Sequence, residues 1–375
     1  MRRTLFTSGI SKPYGEYWFF LRWIVLKFKL FTVTFWIVRK LINRARLRGN
    51  RLNAYPPEVR ALVLKTSICL NFSNIHKVNT LEKIECKKFE GPESIQLASC
   101  ELGIVAGKID WLFTYSDSED EESLHRWNFL IHLLGKKIKN QEHLFWAGEQ
   151  VNVWVNMFQQ EIKSLKKNRI RALRWESYTL SERLANFTIF CKMSGIKPAL
   201  HVVEALVEQA NHLTRNLEYH GNYTGNHVVN NGRCLYLFGS NFGISRFSEL
   251  GRDLIMRELP DLVSSEGFVR EGSTHYQFLI TRWLLEVRFF AQSNNDFDFL
   301  KMLDKYCEKL ESKCQFFQTG DTKDCLREYP LFGDISPDCS PEWLLHLSFS
   351  RLSRESNSED YTSCLPELSW NWIWE

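Results

Sequence analysis

Two short stretches about fifty residues apart hold the side chains best suited to chemistry: Gly225-Asn226-His227 and Arg270-Glu271-Gly272-Ser273-Thr274-His275-Tyr276. An Asn-His pair and a Tyr on neighbouring helices suit removal of a proton alpha to a carboxylate. The Asn amide and the His hydrogen-bond the carboxylate and stabilise the enolate-like intermediate. A Tyr can then act as base toward the proton and as acid toward a departing oxygen. Asn226 and His227 open a helical pattern, where unpaired backbone N–H groups also favour an anion. Asn226 and Asn230 share one face by i,i+4 spacing. Ser273 is placed to cap a second helix, leaving Tyr276 at its third position, while His275 points about 100° away from Tyr276. Each signal has an ordinary counterpart: polar residues at a helix start are most often caps, and a lone helical Tyr most often packs.

These residues need helices to hold them, and from about residue 123 the sequence supplies one helical pattern after another. Amphipathic stretches fall at 123–136, 145–166, 179–194, 199–217, 225–239, 244–259, 273–292, 297–318 and 341–352. Thr179-Leu180-Ser181-Glu182 offers a capping hydroxyl. Gly195 with Pro198, then Gly239 with Gly243, punctuate successive pairs, and Gly267 and Gly272 flank the loop before Tyr276. Helices of four to five turns with short connections pack as antiparallel hairpins. The cadence predicts a mainly all-α fold, an incomplete (α/α) toroid, in preference to a four-helix bundle, with a helical solenoid as runner-up. Residues 1–105 form a less regular, basic and aromatic-rich N-terminal region, with alternating stretches between Phe72 and Phe89 that read as short strands. Residues 106–355 hold the toroid and 356–375 a tail. The acidic run Ser116 to Glu122 reads as a solvated loop.

Composition narrows the function classes. The chain of 375 residues can bury a large core. Its 27 Phe, 13 Trp and 12 Tyr suit stacking on sugar rings, although core filling accounts for most of them. A net charge of +4 is too small for a nucleic-acid partner but suits an anionic glycan. Ten cysteines are scattered without a CxxC or zinc-ligand spacing, which reads as a reduced inventory and predicts neither metal nor cofactor. Between Tyr17 and Ile42 the longest uncharged run is nine residues, Leu30 to Val38. That is far short of the roughly 20 needed to span a membrane, and no small-residue cleavage site follows it. The basic segment Arg39 to Arg48 suits peripheral contact with an anionic membrane surface or a helix packed with its charges outward. A cytoplasmic or membrane-peripheral location is therefore expected ahead of a periplasmic one.

Four segments in order resemble the helical domain of the heparinase II/III-like polysaccharide lyases. Trp175 to Asn186 is similar to that family's tryptophan-led segment entering a helix, and Gly225 to Asn231 to its Asn-His helix with a second Asn five positions after the first. Gly267 to Tyr276 resembles its Gly-rich turn with Glu-x-Ser and Tyr, and Pro330-Leu331-Phe332-Gly333-Asp334 its closing turn. The resemblance implies β-elimination on a uronic-acid polysaccharide, such as a bacterial capsule or surface polymer. Asn226 would neutralise the carboxylate beside His227, and Tyr276 would act as acid and base. Asn231, Glu271, His275, Arg183 and Trp175 are the candidates for binding or supporting the substrate. For Arg183 and Trp175, ion-paired and core readings compete with lining a cleft. The basic run Lys163 to Arg174 would attract an anionic glycan or form a solvated face.

In that family a β-sheet domain follows the helices and supplies a further catalytic His or Tyr. Here the sequence runs about forty residues beyond Asp334. The expectation is a site that stays half built unless a partner chain supplies such a domain. Uronyl epimerisation, glycan binding or polysaccharide assembly without turnover, and a helical protein-interaction module are the alternatives.

Overall fold

The structure is a computed structural model that describes residues 54–68, 91–134, 141–165, 172–221, 224–317 and 330–336. About 70% of these residues are helical. The helices are α1 (Pro57–Ile68), α2 (Ser118–Arg126), α3 (Asn128–Leu134), α4 (Gln141–Met157), α5 (Gln159–Ser164), α6 (Ser177–Ser194), α7 (Leu200–Thr214), α8 (Asn226–Phe242), α9 (Ser245–Leu262), α10 (Thr274–Ser293) and α11 (Phe297–Phe317). Strands β1 (Ser94–Gln96) and β2 (Glu101–Gly103) form a small antiparallel pair with Ile95 opposite Leu102. The all-α class and the series of helical hairpins agree with the sequence pattern. The basic N-terminal segment, the alternating stretch 72–89, the helix expected at 341–352 and the tail lie outside the described residues.

Side-chain partners fix the direction of each helix. Ser177 and Arg183 of α6 bond to Asn216 and Gln209, so α7 runs back along α6. Gly232 of α8 lies against Gly251 and Ile255, and Gly239 against Ser248, so α9 runs back along α8. Arg288 pairs with Asp304 while Gln277 reaches Leu310, which reverses α11 on α10. Between hairpins the order is different. Ser181 meets Asn231, and Phe187 stacks on Phe242 with ring centroids 6.4 Å apart, so α6 and α8 run the same way. Asn226 meets Glu271 and Arg233 meets Glu286, so the start of α8 adjoins the loop before α10, and those two helices are parallel as well. Three parallel helices, α6, α8 and α10, thus begin on one rim, each with a returning partner, as a toroid built from hairpins requires. Helix α1 packs on α9. The Tyr55 hydroxyl just before it accepts from the Leu217 N–H at 2.6 Å.

The tightest hairpin is α8–α9, and glycine makes it possible. A Cβ on Gly251 would lie 2.3 Å from the Tyr236 nitrogen, and one on Gly239 would lie 2.3 Å from the Ser248 nitrogen. Gly239 therefore does not end its helix, as its composition suggested. It lets α9 approach, and the helix stops at Gly243, whose φ of 68° is the left-handed cap conformation. Three further boundaries depart from expectation. The acidic run is not a loop: Asp117 accepts from the Glu119 N–H at 2.9 Å, and Glu119, Asp120 and Glu121 fill the first turn of α2, where the helix dipole favours them. The pattern over 123–136 breaks at Trp127, which caps α2 in a left-handed conformation. Thr179 and Ser181 lie inside α6 rather than capping it, because the Glu176 carboxylate takes the Thr179 N–H at 2.9 Å.

The core accounts for much of the aromatic content. Trp111, Trp127, Trp146, Trp154 and Trp283 are fully buried. Helix α6 is buried on every side from Thr179 to Cys191, which explains why its sequence shows polar residues without an exposed face. Each side chain of leucine or phenylalanine size sunk this way contributes about 1.5–3 kcal/mol.

Candidate active site

The start of α8 has no capping side chain of its own, since its first flanking residue is Gly225. The Glu271 carboxylate takes that role from the loop before α10, accepting the Asn226 N–H at 3.2 Å. A Cβ on Gly225 would sit 3.2 Å from the same oxygen, so glycine leaves room for this approach. Arg270, the neighbour of Glu271, donates to the Thr224 carbonyl. Two segments separated by more than forty residues are thereby tied at one point. Asn226 is 5% exposed, and its side-chain amide is committed to no hydrogen bond among the described residues.

His227 faces outward, with its side chain 47% exposed, and Glu218 holds its inner nitrogen at Nδ1 to Oε1 2.8 Å. Asn231 lies one turn below and is fully buried. Its Nδ2 donates to the other Glu218 oxygen at 3.1 Å and to Ser181 Oγ at 2.9 Å, while its Oδ1 accepts the Glu218 N–H at 3.0 Å. Glu218 is clamped by backbone and side chain together. The Tyr178 ring lies 4.9 Å from the His227 ring, and the Arg126 guanidinium lies over the Tyr178 ring, 5.0 Å from its centroid.

Charges in this cluster move the ionisation of its members. Burial works against a charged imidazole at His227, yet the hydrogen bond and charge of Glu218, with help from Glu176 and Glu271, raise its pKa above the ordinary value. Burial pushes Glu218 up, but His227 and Asn231 outweigh it and leave the carboxylate below its usual range. Glu176 moves the other way: burial and the adjacent Glu218 carboxylate both favour its protonated form. One carboxylate beside the imidazole therefore stays charged, and the other retains its proton more readily.

A buried network lies beneath. Arg233, 0% exposed, donates to Glu286 at 2.6 Å, Glu182 at 2.9 Å and Asn230 Oδ1 at 2.7 Å. Asn230 donates in turn to Glu182 at 2.8 Å, and Arg282 reaches the second oxygen of Glu286 at 2.8 Å. Helices α6, α8 and α10 are joined through these groups below the rim, which fixes how their starts are presented.

Tyr276 sits half-buried at the start of α10, five residues after Glu271. Ser273 Oγ accepts the Tyr276 N–H at 3.2 Å and donates to the Asp334 carbonyl at 2.6 Å. The Pro330–Asp334 segment docks on this helix start: Thr274 exchanges hydrogen bonds with Phe332, and its hydroxyl donates to the Pro330 carbonyl. Beside the Gly225 turn a cavity of about 430 Å³ is lined by Tyr219, Thr224, Gly225, Arg257, Glu258 and Arg270.

The structure gathers Asn226, His227, Asn231 and Glu271 at one place and sets Tyr276 on the adjacent helix start. Arg183, Trp175 and His275 lie elsewhere, in the interior. Arg183 is fully buried and bonds to the His125 and Arg174 carbonyls and to Gln209. Its guanidinium lies over Trp154 at 4.5 Å and close to Trp127 and Trp175. Trp175 gives its indole N–H to Glu161 at 2.6 Å. His275 is 0% exposed, and its burial lowers its pKa to about 4. Of the basic stretch, Arg174 is paired with Glu161 at 3.1 Å, and residues 166–171 lie outside the described part. Glu218, Glu176 and Tyr178 are the site members that sequence reasoning missed. One signal pointed to Glu218: His227 and Asn231 are four residues apart, so both face the same neighbour.

No protein-family model and no curated protein matches the chain. Among solved structures, it is similar to the heparan sulfate lyase HepC from Pedobacter heparinus at 14% identity, covering 83% of this chain and 50% of that one with a TM-score of 0.47. A heparinase III structure aligns at 16% identity over 69% of this chain and 43% of that one, with a TM-score of 0.41. A second heparinase III aligns at 16% identity over 86% and 55%, with a TM-score of 0.44. These are distant likenesses, and the chain spans about half the length of the structures it matches.

Proposed function

We propose that this chain carries one wall of a polysaccharide lyase site that acts on a uronic-acid glycan by β-elimination. The observation that supports this reading is the join at the rim. Glu271 ties the Asn226 backbone to the loop leading into Tyr276, which places an uncommitted amide and an outward imidazole next to the helix start that bears the tyrosine.

On this reading the uronate carboxylate accepts hydrogen bonds from the Asn226 amide and from His227 Nε2. Both stabilise the negative charge that builds when the C5–H bond breaks. The Tyr276 oxygen, entering as phenolate, takes that proton and passes it to the glycosidic oxygen at C4 as the C4–O bond cleaves. A C4=C5 double bond remains, and no external oxidant or reductant is needed. Arg270 and Arg257 beside the neighbouring cavity would favour further anionic groups along the polymer. The substrate class is an acidic capsule or surface polysaccharide.

The test follows the conjugated product by ultraviolet absorbance across hyaluronan, heparan sulfate, alginate and polygalacturonate, beside a binding measurement on the same polymers. Binding is expected on one of these with at most slow turnover, and any turnover should fall by about 10²–10⁴ in Tyr276→Phe, the span of a lost general acid–base group. Binding should survive that substitution and weaken in Asn226→Ala. Neither turnover nor binding on any of the four polymers would refute the proposal and favour a helical interaction module.

A further inference from the structure

The exposed imidazole of the cluster is held from behind by a carboxylate that has no freedom of its own. Both Glu218 oxygens are engaged, Oε1 by His227 Nδ1 at 2.8 Å and Oε2 by Asn231 Nδ2 at 3.1 Å. The Glu218 backbone is pinned by Asn231 Oδ1, and the preceding residue, Leu217, by the Tyr55 hydroxyl. A carboxylate on Nδ1 fixes which ring nitrogen faces out and favours a proton on both. We infer that Glu218 is the positioning residue that locks His227 by its Nδ1 and presents Nε2–H as a cationic donor to the anionic group of the ligand.

This inference rests on the reading that the site takes an acidic glycan, and it assigns His227 a fixed part within it. A cationic His227 cannot be the base that removes a proton, so proton abstraction is left to Tyr276. The surroundings support the assignment from every side. Glu218 and His220 come from the segment before α8, Glu176 and Tyr178 from α6, and Glu271 from the loop before α10, with Arg126 of α2 behind Tyr178. The nearest of these, Glu218, is the charged carboxylate of the pair. The cluster is therefore selective for an anion only while His227 carries its proton. Above the midpoint of that titration, affinity should fall by up to about tenfold per pH unit.

The experiment has two readouts on the full chain. The first is the ring titration of His227 by nuclear magnetic resonance on histidine-labelled protein, its signal assigned by loss in His227→Gln. The second is the pH dependence of binding to heparan sulfate and alginate oligosaccharides. In the native chain His227 should titrate above the ordinary histidine value of about 6.5, and glycan affinity should fall through the same midpoint. In Glu218→Gln both midpoints should drop together, and Glu218→Asp should restore part of the difference. A native His227 that titrates at or below the ordinary value overturns the inference without any variant, which matters if Glu218→Gln folds poorly. It is equally overturned if Glu218→Gln leaves the ring midpoint in place, or if glycan binding ignores that midpoint. If the ring titration shifts as expected and no polymer binds at any pH, the proposed function fails while the Glu218–His227 lock stands.

Discussion

Arg233 is the residue whose loss should be felt most widely, and the structure sets the size of the effect. The side chain is 0% exposed and joins Glu286 of α10, Glu182 of α6 and Asn230 of its own helix. Replacement by methionine keeps the volume and removes the charge. Glu286 retains Arg282 at 2.8 Å, so it is not left alone. Glu182 retains the Asn230 amide at 2.8 Å but loses the one cation bonded to it directly among the described residues. Breaking one buried pair costs about 3–5 kcal/mol because an uncompensated charge stays behind. That is a large share of the 5–15 kcal/mol that typically separates folded from unfolded chains. The pH dependence supplies a second check. Burial pushes Glu182 up in the native chain, but Arg233 and Arg282 hold it below its usual range. Its contribution is thus present above the unfolded carboxylate value and is lost as pH falls through the folded one. Without Arg233 the folded pKa rises and protonation relieves the burial penalty. The gap between native and Arg233→Met chains should therefore narrow as pH falls. Urea unfolding at several pH values measures both quantities. Adding Glu182→Gln to Arg233→Met should recover much of the loss. A cost below about 1 kcal/mol at neutral pH, or a gap that does not change with pH, would refute the reasoning.

Two further outcomes follow from buried positions. Gly251→Ala places a methyl 2.3 Å from the Tyr236 nitrogen, so α8 and α9 must separate; a loss of about 1–3 kcal/mol and a lower melting temperature are expected, and an unchanged melting temperature would contradict the close approach. His275, buried and neutral with a pKa lowered to about 4, contributes stability that is fully present above the unfolded histidine value and lost as pH falls toward 4. The full effect is on the order of 3 kcal/mol; His275→Asn should flatten acid destabilisation in urea titrations between pH 7 and pH 4, and two parallel curves would sink the idea.

The hairpins were legible because glycine and proline mark their turns. Gly195 and Gly243 end helices in the left-handed conformation, as their spacing suggested. Gly239 misled because the same residue type serves a second purpose, admitting a neighbouring backbone, and sequence alone does not distinguish the two. The acidic run misled because four consecutive carboxylates read equally well as a solvated loop and as a helix start. Glu176 went unnoticed as a cap since glutamate is not among the side chains favoured there. Asn226, His227 and Tyr276 stood out because they open helices with polar side chains. Glu218 did not, since it lies between helices where no periodicity ranks one residue over another. Arg183 and Trp175 show the opposite limit: their types suit a sugar cleft, and only packing reveals that tryptophans enclose the arginine.

The parallel run of α6, α8 and α10 has a consequence for how this molecule can change over evolutionary time. Their first turns are capped by Glu176, Glu271 and Ser273, delivered from the segments that lead into the rim. A loop exchanged to alter what the rim recognises would therefore also remove a helix cap. Novelty at the surface and integrity of the scaffold are written in the same few residues, so substitutions there should be accepted in compensated groups more readily than singly. The glycines that lock α8 to α9 are constrained separately, by the close approach of the two backbones rather than by what the rim recognises.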